Sequence, residues 1–218
     1  MAVDGAKNRS TNRRSMLGLL ASAAVISVVP STPALAQVEL TTALRQGGHV
    51  IVFRHGATNS KQADTDPLNH DNVKKQRLLT DAGKALAREI GSVMRQLAIP
   101  VSEVHTSKFN RAIETAKLMN VGKVATTLDL TEGGLVVPPD ENVRRAKAFR
   151  DLVGKPIAAK SNRVIVSHKP NIIDAFGKDW FEVKEGEAAI FKVEADGKYS
   201  LVTRLQATQW AILEKPLR

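Results

Sequence analysis

Two short runs, VIVF at residues 50–53 and VIVS at residues 164–167, restrict the architecture more than any other feature of this chain. A strand with one face in water alternates apolar and polar residues, but these runs have no polar face until they end. Strands apolar on both faces belong to a parallel sheet covered by helices on each side. The rest of the pattern agrees. Leu86, Ile90, Val93, Met94 and Leu97 recur at helical spacing behind a capping Thr80 or Asp81. The sequence predicts strands over 49–53, 101–106, 124–128 and 163–167, and helices over 81–97, 110–119, 141–153 and 171–176. A closing hairpin pairs 188–193 with 199–205 around an Asp196-Gly197 turn. Residues 56–79 read as a long polar loop, and the Gly133-Gly134 and Pro138-Pro139 pairs as irregular chain. The expected fold class is α/β, a three-layer α/β/α arrangement with a mostly parallel central sheet.

At 218 residues the chain is long enough for one ordinary domain with a substantial core. It has no cysteine, which excludes disulfides, thiolate zinc sites and cysteine nucleophiles. A formal charge of +10 leaves open either simple solubility or attraction to anionic partners. The positive residues are scattered and aromatics make up only 4 %, so no nucleic-acid partner is expected.

Residues 1–36 follow a different logic. Arg13-Arg14 precedes the apolar run LGLLASAAVISVV at 17–29, then Pro30, Pro33 and the small-residue pattern Ala34-Leu35-Ala36. That order of charge, apolar core and cleavage site is an export signal, and RRSMLGLL is similar to its twin-arginine form. The core is shorter than the roughly 20 residues of a membrane span, so cleavage leaves no stable span. Retention as a short anchor is the other reading. The expected division is a signal over 1–36 and a catalytic domain over 37–218, with a periplasmic or secreted location.

Unusual residues end three of the predicted strands. The first runs into Arg54 and His55, the second leads through Ser107 to Arg111, and VIVS leads to His168. In a parallel sheet these ends share one edge, where ligands bind in open α/β folds. A cation in the first turn of a helix, as Arg111 is predicted to be, opposes the helix dipole unless an anion is bound there. The bland alternative is a surface arginine pairing with Glu114. Two arginines and two histidines around one point suit a phosphoryl dianion.

RHGATN, SKFNRAIETAKLM and VIVSHKPNI together resemble the histidine phosphatase superfamily, the phosphoglycerate mutase-like fold, in content, order and spacing. TEGGLVV and EGEAAIF are similar to small exported members such as lipopolysaccharide core heptose phosphatase-like proteins. The resemblance implies that His55 is the nucleophile of a phosphohistidine intermediate, with Arg54, Arg111 and His168 holding the phosphoryl oxygens. It further implies that Gly56 admits the backbone close to the phosphate and that Asn59 adds a hydrogen bond. Neither a metal nor another cofactor is expected, since the histidines and acids lack metal-ligand spacing.

The proton for the departing alcohol has two candidate sources. Glu132, in LDLTEGG, lies where the mutase-like branch places its glutamate, and Glu187 opens the strand after the second histidine. The expected activity is a metal-independent, exported phosphomonoesterase acting on a small phosphorylated substrate, a sugar phosphate or envelope glycolipid. The alternatives are a mutase-like phosphotransferase and a non-catalytic anion-binding protein using the same pocket.

Overall fold

The computed structural model describes residues 1–2 and 33–213. The chain divides into two units, Met1–Ser31 and Thr32–Arg218, and every described element belongs to the second. Arg13, Arg14 and the 17–29 apolar run of the expected export signal lie outside the described residues.

The elements follow in the order α1 (Pro33–Gln46), β1 (His49–Arg54), α2 (Asp81–Gln96), β2 (Val101–Thr106), α3 (Asn110–Met119), β3 (Val124–Thr126), α4 (Pro139–Gly154), β4 (Asn162–Ser167), α5 (Lys169–Phe176), β5 (Ala188–Val193), β6 (Tyr199–Leu205) and α6 (Trp210–Leu213). They form one six-stranded sheet of order β3-β2-β4-β1-β5-β6. The first four strands are parallel, and the closing hairpin adds β5 and β6 antiparallel. The expected three-layer α/β/α architecture with a mostly parallel sheet is the one observed.

The two apolar strands are neighbours, with Val52 paired to Ile165 and Arg54 to Ser167. Alternate residues supply two cores. Ile51, Phe53, Val164 and Val166 face the buried residues of α2 and α3, while Val50, Val52 and Ile165 pack with Phe149, Ile172 and Trp180. Each buried side chain of this size contributes roughly 1.5–3 kcal/mol through removal of apolar surface from water.

Local chemistry accounts for most boundaries. The Thr80 hydroxyl caps α2 by accepting from the Gly83 amide at 3.0 Å. Where α2 crosses α3, a Cβ on Gly91 would come within 1.8 Å of the Met119 carbonyl, so only glycine permits this approach. Several boundaries differ from the sequence reading. The strand expected over 124–128 stops at Thr126, because Thr127 caps a 3₁₀ turn at Leu128–Leu130 through the Asp129 amide. The fourth helix begins at Pro139, a residue well suited to a first helical position. Helix α1 had no counterpart among the predicted elements; Leu44 is buried and Leu40 half-buried, but the remaining apolar positions do not form a stripe. It runs through position 36, the boundary expected between signal and domain.

Candidate active site

Strand β1 does not lose its partners where its apolar run ends. The Arg54 amide donates to Glu187 O at 3.0 Å, and the His55 amide continues the parallel ladder to Ser167 O at 3.0 Å. From the other side the Gly186 amide donates to the carbonyls of Arg54 and His55, at 3.1 and 2.9 Å. Gly186 holds a φ of +76° to make that turn. His55 is thereby fixed on both flanks and is 2 % exposed.

Its ring is oriented as well. Nδ1 lies 2.8 Å from Gly56 O, and a carbonyl can only accept, so Nδ1 carries the proton and Nε2 keeps a free lone pair. Burial, followed by the neighbouring His168, holds the imidazole well below its usual range, so the ring is neutral at pH 7. The two ring centroids are 5.1 Å apart. The Gly56 amide donates to Thr115 Oγ1 at 3.0 Å, and that hydroxyl donates to Arg111 O at 2.7 Å. The close approach that Gly56 permits is to α2, since a Cβ there would meet Gly83 O at 3.1 Å.

Arg111, in the first turn of α3, is fully buried. Its Nη1 donates to Asp64 at 3.0 Å, its Nη2 to Glu132, and its guanidinium lies 4.3 Å over the Phe109 ring. The surface pair with Glu114 is not formed; Glu114 pairs with Lys84 at 3.6 Å instead. Phe109 also sets its ring edge-on to His168, 5.5 Å away.

His168 is fully buried at the start of α5, and its Nε2 lies 2.6 Å from Ser107 Oγ. That oxygen accepts from the Phe109 amide at 3.1 Å, so the buried hydroxyl proton is satisfied by donating to Nε2. This leaves the ring proton of a neutral His168 on Nδ1. Burial and then the charge of Arg111 hold this imidazole well below its usual range too.

Arg54 donates from Nη1 to Val183 O at 2.8 Å and lies 3.5 Å from Glu185, which also accepts from Thr58 Oγ1 at 2.7 Å. Burial lowers this guanidinium from its usual value. Arg54, His55, Arg111 and His168 therefore converge on one edge of the sheet, as the strand ends implied. Arg54 Nε, Arg111 Nε and His168 Nδ1 are buried there without a hydrogen-bond partner. Buried polar nitrogens are ordinarily satisfied, so these, with Arg77 Nε from the following loop, are donors open to an external acceptor.

The two candidate glutamates have different surroundings. Glu132 Oε1 accepts from Arg111 and lies 3.5 Å from His168 Nδ1. Glu187, 1 % exposed, accepts from Arg204, from Gln206 Nε2 at 2.8 Å and from the Lys184 amide at 2.9 Å. Its oxygens are occupied in tying the closing hairpin to the preceding turn. Asn59 lies in the loop after β1, where its Oδ1 accepts from the Lys61 amide at 3.1 Å. Asp64, in the 56–79 loop, reaches Arg111 and also accepts from the Arg77 amide at 2.9 Å, although no periodicity distinguished either residue. Among the described residues, no three His, Asp or Glu side chains converge as a metal site.

The stretch from β1 to the turn that follows Glu132 has a counterpart among known protein families. Residues 50–134 match the histidine phosphatase superfamily (branch 1). This match supports a phosphatase. Solved structures share the fold, phosphoglycerate mutase-like, over about three quarters of the chain. The protein histidine phosphatase SixA, solved with tungstate, superposes with a TM-score of 0.53 at 17 % identity, covering 74 % of this chain and 98 % of its own. Phosphoserine phosphatase from Entamoeba histolytica, solved with 3-phosphoglyceric acid, gives 0.51 at 16 % identity, covering 72 % and 96 %. YhfR of Bacillus stearothermophilus gives 0.53 at 15 % identity, covering 71 % and 95 %. No curated protein matches the chain in sequence.

Proposed function

We propose that the protein is a phosphomonoesterase that works through a phosphohistidine on His55. The observation that carries this reading is the grouping of Arg54 Nε, Arg111 Nε and His168 Nδ1, unpartnered and buried, beside an imidazole whose Nε2 is bare. Three donors match the three non-bridging oxygens of a phosphoryl group. In the first step the His55 Nε2–P bond forms as the ester P–O bond breaks, and the alcohol oxygen takes a proton from Glu132. In the second, water attacks phosphorus, the P–N bond breaks, and the proton lost by water returns to the Glu132 carboxylate. Dividing one displacement into two gives each a well-placed partner.

Incubation with p-nitrophenyl phosphate tests the reaction, and acid or alkaline quench of a rapid-mix sample tests the intermediate. The expected phosphoenzyme is alkali-stable and acid-labile, and is missing in His55→Ala. A substituted enzyme that still turns over would overturn the assignment.

We further propose that residues 1–36 export the domain, and that the substrate is a sugar phosphate or a phosphorylated envelope glycolipid of the kind expected for lipopolysaccharide heptose phosphatase-like proteins. The support is the charge and apolar order of the N-terminal segment and the TEGGLVV and EGEAAIF runs. Fusing residues 1–36 to an export reporter tests the first, with Arg13→Lys/Arg14→Lys expected to block it. A panel of phosphate esters that includes phosphohistidine peptides tests the second; equal rates across the panel would count against sugar phosphates.

A further inference from the structure

Arg77 has no role in the reaction just described, yet it is a cation beside the site with nothing to pair with. Its Nε is buried without a partner, and among the described residues its guanidinium makes no ion pair or hydrogen bond. The residue as a whole is half-buried, so its guanidinium sits at the edge of the site with a donor left over for a ligand.

The loop that carries it is built to hold it in place. The Arg77 amide donates to Asp64 Oδ1 at 2.9 Å, and the same oxygen accepts from Arg111 Nη1 at 3.0 Å. The neighbouring Gln76 accepts from the Asn110 amide, at the start of α3, at 2.7 Å. Within the loop, the Thr65 amide donates to Lys75 O at 2.8 Å and the Leu78 amide to Gln62 at 3.0 Å. His70 sets its ring against Phe109, 5.1 Å away, and Phe109 packs on His168. The segment is thus stitched to itself and to the side chains that surround the phosphoryl position. The Asp64 carboxylate, shared by the Arg77 amide and the Arg111 guanidinium, is what sets Arg77 beside the site.

Direction then decides what Arg77 can meet. Phosphoryl transfer proceeds with attacking and leaving atoms in line. His55 attacks from the end of β1, so the leaving group departs on the side away from the sheet. Arg77 approaches from the 56–79 loop rather than from the sheet, its amide sharing the Asp64 carboxylate with Arg111. The oxygens of the phosphoryl group already have three donors in Arg54, Arg111 and His168.

We propose that Arg77 is a specificity residue that binds a second anionic group, a carboxylate or phosphate, on the alcohol portion of the substrate. This rests on the phosphomonoesterase reading and narrows its substrate class to phosphate esters that carry another negative charge near the ester.

Two substrate pairs test it. Glycerol 3-phosphate and 3-phosphoglycerate, and likewise glucose 1-phosphate and glucuronic acid 1-phosphate, differ by one carboxylate at two distances from the ester. The expected result is a higher kcat/KM for the acidic member of at least one pair, by roughly 10-fold or more, as befits a charge-assisted contact. Arg77→Met should abolish that preference and Arg77→Lys should restore part of it. A preference that survives Arg77→Met overturns the proposal, as does its absence in the wild-type protein for both pairs. Equal losses on both members would also overturn it, by assigning Arg77 to the phosphoryl group. Should no ester be hydrolysed, the phosphomonoesterase reading fails separately, and calorimetric affinities of His55→Ala for the same pairs still decide whether Arg77 selects the second charge.

Discussion

The carboxylate of Glu132 lies 3.5 Å from Nδ1 of His168, inside the reach of the phosphoryl-binding groups. It is 20 % exposed, open to water while its Oε1 faces Arg111 and His168. This position makes Glu132→Gln informative. The variant should lose about 10²–10⁴-fold in kcat on an alkyl phosphate, the range general acids supply. The loss on p-nitrophenyl phosphate should be much smaller, since p-nitrophenolate leaves without a proton. Steady-state rates on glycerol 3-phosphate and p-nitrophenyl phosphate give the comparison. An unaltered alkyl phosphate rate would remove Glu132 from the mechanism.

Ser107 acts through His168. Its hydroxyl donates to Nε2 and so keeps the ring proton on Nδ1, on the side of Glu132. Ser107→Ala should reduce kcat about 10-fold or more by freeing the tautomer, with KM moving less. It should also alter the pH profile, which mere loss of packing would leave in place; Ser107→Thr should retain the profile. Proton-detected NMR of the imidazole nitrogens would read the tautomer directly.

Both histidines are neutral in the folded protein because burial lowers their pKa values well below 6.5. In the unfolded chain they titrate near 6.5. As pH falls below that value the unfolded state takes up protons first, so stability present above about pH 6.5 is lost progressively toward the folded pKa values. Thermal melts should therefore show a lower Tm at pH 5 than at pH 7.5. His55→Asn and His168→Asn should each flatten this slope. The acid limb of kcat/KM should likewise fall below pH 6.5, because His55 remains a competent nucleophile there.

Gly91 offers a change remote from the chemistry. Replacing it with alanine forces a methyl toward the Met119 carbonyl between α2 and α3. Such overpacking costs roughly 1–3 kcal/mol, and backbone on the far side gives little room to relax. Urea titration should show the loss. Because α3 carries Arg111, KM for phosphate esters should rise along with it, whereas loss of stability with unchanged KM would show that the helix moves as a unit.

The parts of the molecule that could be read in sequence are those whose signal is local. VIVF and VIVS betrayed their burial because both faces are apolar, and the Arg-His and His residues that follow them stood out against those runs. Asn110–Met119 was readable from its own spacing, and Arg111 from its opposition to the helix dipole. Helix α1 has no continuous apolar stripe to announce it, and Pro139 reads as a breaker until it is seen to open a helix. Asp64 and Arg77 lie in a loop with no period, so only the folding of that loop over α3 relates them to the site. The surroundings of Glu132 and Glu187 depend on which arginine each one meets, a question of distance in space that spacing along the chain does not answer.

The double anchoring of His55, to β4 on one flank and to the turn before β5 on the other, has a consequence for motion. The imidazole proposed as the nucleophile sits on a peptide hydrogen-bonded on both flanks, which restrains it from swinging toward a substrate or away from a product. Entry and departure must be accommodated by the segment opposite, whose amide bonds are made mostly within itself. Hydrogen exchange should accordingly divide the site into two tempos: slow amides at residues 54–55 and much faster ones along 59–78, with orthophosphate slowing the second group and leaving the first unaltered.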